Sequence, residues 1–150
     1  MNKFVKIVFP LEVDEEGFPP ISCEVLNARS HPPGFVLENS PFFVTGVALG
    51  DHVTGVPVHG TNSRFAFTRV IESSPNKAIS IIFLDIGLKD TVYQELKRRG
   101  CYCEYGEFGK GPDLQMLAVA VPEECDYASL VAYLSEIEAA ERLSFAELAV

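Results

Sequence analysis

Four cysteines, three histidines and 21 acidic residues are the groups with chemistry to offer in this 150-residue chain. Cys101 and Cys103 alternate along an extended segment and so project from one face, which is how a metal or redox site begins. No second cysteine pair and no Cys/His cluster stands at ligand spacing, so packed thiols are the simpler reading and no metal or other cofactor is expected. His31, His52 and His59 all fall in the first half, and no serine occupies a Gly-x-Ser-x-Gly elbow, which leaves a hydrolytic triad without support. An enzymatic reading needs a cleft that brings Asp51, His52 or His59 to Cys101 or Cys103. The glycine-rich run Gly106–Gly111 includes Lys110 but lacks the strand-loop-helix setting and the Gly-Lys-Ser/Thr ending of a phosphate loop, so it reads as a hairpin. The chain is expected to have no catalytic residues and not to be an enzyme.

Charge carries more information. The 12 basic residues against 21 acidic ones give a net charge of -9 and a pI near 4.7, which argues against nucleic acid and anionic membranes as partners and in favour of a cationic one. The one basic cluster, Lys97-Arg98-Arg99, ends a predicted helix, where cations complement the dipole. Residues 1–76 carry a net charge of -3 and residues 77–150 a net charge of -6. Between Glu123 and Glu147 the acids are Glu123, Glu124, Asp126, Glu136, Glu138, Glu141 and Glu147, against the single base Arg142. The first six are the candidate partner-binding residues. Their plain role is helix capping and solvation; the functional alternative is a docking surface for a basic protein.

These groups need a scaffold. With 47% apolar residues a real core is available. The N-terminus has no cleavable signal pattern and no apolar run approaches a membrane span, so the expected location is the cytoplasm, with reduced thiols. Strands are expected at 3–9, 21–26, 35–38, 52–58 and 64–72. Asn39–Asp51 adds a further apolar strand between two turns, with Phe42 and Phe43 entering the core and Asp51 holding the second turn. The expectation is a small antiparallel β-barrel over 1–75. Ser73-Ser74-Pro75-Asn76 marks a boundary. Beyond it, strands at 78–84, 101–105, 114–121 and 143–150 alternate with helices starting at Asp90 and Asp126. This predicts an α+β chain whose second subdomain, 76–150, is ferredoxin-like with strands 78–84 and 114–121 side by side.

Phe9-Pro10-Leu11, Asp14-Glu15-Glu16-Gly17-Phe18-Pro19-Pro20, Ser22, Glu24, Asn39-Ser40-Pro41-Phe42-Phe43 and Gly46-Val47-Ala48-Leu49-Gly50-Asp51, followed by Val119-x-Val121-Pro122 and Asp126-Tyr127, together resemble an uncharacterised bacterial family, domain of unknown function 4265. The resemblance implies a small cytosolic bacterial protein with no assigned reaction. Some acidic proteins of this size are immunity proteins, so the leading expectation is a non-enzymatic protein that neutralises a cognate basic toxin through its acidic surface. The alternative is a small-molecule-binding or regulatory domain with a pocket between the two halves.

Overall fold

The computed structural model describes residues 3–109 and 114–150; Lys110 and Gly111 of the run expected to form a hairpin lie outside them. Among the described residues, the first half contributes five strands, β1 (Phe4–Pro10), β2 (Cys23–His31), β3 (Gly34–Leu37), β4 (His52–Pro57) and β5 (Arg64–Glu72), closed into a barrel in chain order. Alternation drives it: Val5, Ile7 and Phe9 of β1 and Leu26 and Ala28 of β2 point inward, each almost wholly buried. Phe65 and Phe67 of β5 close the core, 4.5 Å from Phe35 and 4.7 Å from Phe9 between ring centroids. The β4–β5 register shifts twice, the bulge foreshadowed by the broken alternation of β5.

Two expectations about this half are corrected. Asn39–Asp51 forms no strand; it runs as an irregular segment from β3 to β4. The barrel is also not wholly antiparallel, because β1 pairs with β5 in parallel, Ile7 opposite Phe65. The two corrections share one cause. Strands that reverse at every connection alternate in direction, so an even number would close antiparallel and five must close parallel.

The second half is a four-stranded antiparallel sheet of β6 (Lys77–Phe83), β7 (Tyr102–Phe108), β8 (Leu114–Val121) and β9 (Leu143–Ala149) in the order β7-β8-β6-β9. The two apolar strands β6 and β8 do lie side by side, Ile79 opposite Val119. Helices α1 (Lys89–Arg98) and α2 (Tyr127–Ala139) pack Val92, Leu96, Leu130 and Leu134 onto the face formed by Ile79, Ile81, Leu117 and Val119. A 3-10 turn, Ile86–Leu88, leads into α1, and Asp85 caps that turn through the Gly87 amide. Asp90 is therefore already inside the helix rather than its cap.

The expected α+β class with a ferredoxin-like half is corrected as well. The structure is mostly β, with 44% of the described residues in strands against 18% in helices. The first half contributes five strands and no helix among its described residues, so the strand-helix alternation that begins at Lys77 does not set the class of the chain.

Candidate functional site

Asn39–Asp51 is the clasp between the two halves. Its shape is set by two buried carboxylates. Glu24 shares the inward parity of Leu26 and Ala28 and is 5% exposed. Its Oε2 accepts from the Phe42 amide at 2.6 Å and its Oε1 from the Phe43 and Val44 amides at 3.0 Å. Three donors on one carboxylate make charge-assisted bonds that hold three successive amides in one geometry. Asp51, 3% exposed, accepts from the Ala48 amide at 3.0 Å and from the Ser74 amide at 2.7 Å, so it fixes both the turn at its own position and the linker to β6. Gly50, at φ +89, supplies the backbone conformation this turn needs.

The clasp then fastens onto the sheet face that the helices leave bare. Ser40 Oγ donates to the Val119 carbonyl at 3.2 Å, and the Gly46 amide donates to the Leu148 carbonyl at 2.9 Å. Asn39 spans both halves, accepting from the Asn27 amide on β2 and donating to Glu104 Oε2 on β7. Phe42 lies so close over Gly106 that a Cβ there would come within 2.6 Å of its ring. Glu24 was legible only as an acid at an inward position of an alternating strand.

The six acidic positions are all exposed, and they fall into two groups. Glu123, Glu124 and Asp126 stand at the start of α2, where Asp126 caps the helix through the Ser129 amide at 3.1 Å. Glu136, Glu138 and Glu141 stand at its end, about 20 Å away for 13 residues of helix. Glu138 accepts from the Phe145 amide at 3.0 Å. Among the described residues none of the six forms an ion pair, and Arg142 is bonded to Asp85 at 2.8 Å, which holds that carboxyl below its ordinary range.

The two groups differ electrically. The helix dipole presents positive charge at its N-terminus, so Glu123, Glu124 and Asp126 are partly offset there. At the C-terminus the dipole adds to Glu136, Glu138 and Glu141, and the last turn carries no base. Glu141 also has φ +59, the left-handed position of a C-cap that places the Arg142 amide on Ile137 and the Glu141 amide on Glu138. Glycine or asparagine is the usual occupant there.

The groups that an enzymatic cleft would need lie apart. Cys101 and Cys103 are buried among Leu96, Leu117 and Leu130 beneath the helices. Burial pushes the Cys103 thiol up to about 11, and burial followed by the neighbouring Cys125 and Cys103 raises Cys101. Both are kept as neutral thiols. His52 is on the barrel, its ring 5.0 Å from that of His31 and its Nε2 bonded to the His31 carbonyl, while His59 is exposed on the β4–β5 loop. Asp51 is committed to its turn. No group of three metal-ligating side chains is found among the described residues. Of the basic cluster, Arg98 and Arg99 both pair with Glu95. No helix among the described residues is long and apolar enough to cross a membrane.

A crystal structure of a hypothetical protein from Neisseria gonorrhoeae is similar over 99% of this chain and 95% of its own, at 24% identity and a TM-score of 0.73, a likeness that speaks to the fold alone. No curated protein matches the chain. The family described as Domain of unknown function (DUF4265) matches residues 24–145, which begin at the carboxylate that shapes the clasp and run into β9. The chain belongs to that family.

Proposed function

We propose that this chain is a non-enzymatic cytosolic protein that captures a basic protein partner, most specifically an immunity protein that covers a toxin domain, and that the C-terminal end of α2 is its contact pole. The observation that carries this reading is Glu141. A glutamate stands in a left-handed position that favours glycine, at the negative end of a helix, beside two more glutamates. The left-handed backbone and the unfavourable dipole cost stability, and together the three acids concentrate negative potential on one exposed point. A cationic partner turns that cost into steered, salt-sensitive association.

Mixing the purified protein with the basic product of the adjacent gene tests the reading. A 1:1 complex at low salt that weakens at least tenfold between 50 and 300 mM salt is expected, on the order seen for steered pairs. Glu136→Gln/Glu141→Gln should weaken it further, by about tenfold or more. A complex indifferent to both salt and these substitutions, or none at all, overturns the proposal.

A further inference from the structure

A cavity of about 220 Å³ lies where the clasp meets the bare face of the second sheet. Phe42 and Phe43 of the clasp and Phe18 of the β1–β2 loop form one wall, with Phe18 and Phe43 edge to face at 5.8 Å. Ile82 and Met116 line the sheet side, and among the described residues no charged side chain lines it. Ser144 and Ala146 of β9, both exposed, place its mouth at the sheet edge.

One lining group has unmet chemistry. Ser80 is 4% exposed, and its hydroxyl is a buried side-chain polar atom with no hydrogen-bond partner among the described residues. Its ladder neighbours are Ala118 on one side and Ala146 on the other, so neither flanking side chain offers it an acceptor. A buried hydroxyl without a partner costs about 1–3 kcal/mol, and valine or alanine would suit a strand packed for stability alone. Water is a poor answer, because an ordered molecule needs two to four polar partners and this lining is mostly phenyl, alkyl and thioether. A dry cavity of about 150 Å³ is enough to hold benzene, so the present volume admits one substituted ring.

We infer that the cavity between Phe43, Met116 and Ser80 binds a small uncharged aromatic molecule bearing one hydroxyl or carbonyl, with the ring against the phenylalanines and the polar atom on the Ser80 hydroxyl. The three features of the site each exclude something. The phenylalanine edges and the Met116 sulfur favour a ring over a branched chain. The uncharged lining excludes carboxylates and amines, whose desolvation nothing there repays. Ser80 discriminates for the polar substituent, because a ligand without one leaves the hydroxyl unpaired. This inference is independent of the acidic pole of α2.

Titration of the full chain with phenol, toluene and benzoate, followed by amide and methyl NMR, tests it. Phenol at millimolar concentration should shift the signals of Ser80, Ile82 and Met116, toluene should bind more weakly at the same place, and benzoate should not bind. Ser80→Ala removes an unsatisfied group and so keeps the fold; it should lower phenol affinity about tenfold while leaving toluene unchanged. Ala146→Trp, at the exposed mouth, should block both, and a thermal melt verifies that it is folded. The inference is overturned if phenol produces no shifts at these residues, if benzoate binds as well as phenol, or if Ser80→Ala affects phenol and toluene alike.

Discussion

Glu24 holds three backbone amides with one carboxylate, so the consequences of changing it are sharply defined. Glu24→Gln places an NH₂ group against at least one of those donors, and a loss of about 1.5–3 kcal/mol is expected in urea unfolding. A variant as stable as the parent would mean that the clasp does not depend on this carboxylate. Gly34 makes a comparable case through space alone, because a Cβ there would stand 2.1 Å from the Val53 carbonyl oxygen in the neighbouring strand. Gly34→Ala should therefore cost at least about 2 kcal/mol by prising β3 from β4, measured in the same way. The residues that matter most at this scale were only half legible. Asp51 was readable as a turn-holding acid, since a glycine preceded it. Glu24 was visible as an acid within a strand and Ser80 as the one polar residue of an apolar run, on the parity opposite to Ile79 and Ile81, yet parity does not say which amide or cavity a side chain meets. That depends on a segment from elsewhere in the chain.

Among the elements, α2 was the most legible, because its cap and its apolar spacing both lie within a dozen residues of sequence. Asn39–Asp51 was the least. Its Phe-Phe-Val run has strand composition, but Pro41 lacks an amide to donate and Glu24 occupies the three that follow, so no neighbouring strand can pair with it. A long-range contact overrode a local propensity. The C-terminus of α2 yields an opposed pair of effects. Glu141→Gly should raise stability by about 1 kcal/mol by relieving the left-handed strain, while weakening capture of a basic partner. Calorimetry and binding on the same sample check both signs. Asp126→Asn is the complementary control, since asparagine caps as well as aspartate: its melting temperature should stay within about 1 °C of the parent, the cap being worth about the same in either form.

For the molecule as a whole, the thiols beneath the helices set an alkaline limit. The Cys103 thiol rises from 9.0 to about 11 on folding because burial disfavours its charged form. The sign follows directly. Below pH 9 the thiol is neutral in both states, whereas above it the unfolded chain loses the proton first, so stability falls as pH climbs from 9 towards 11. Thermal melts across that range should show the decline, and Cys103→Ala should lessen it without abolishing it, since buried Cys101 is raised as well. Native labelling at pH 8 should modify the exposed Cys23 and spare Cys101 and Cys103; equal rates would contradict the packing beneath α1 and α2. The parallel seam of the barrel has a consequence in time. β1 is made first, but its second neighbour, β5, reaches it only when residues 64–66 exist, so the order of synthesis leaves one edge of the first strand open for most of the barrel's production. Chains halted near residue 63 should expose that edge and aggregate more than chains released beyond β5, both lacking the sheet on which the clasp packs. The closing strand therefore acts as a checkpoint on the nascent polypeptide.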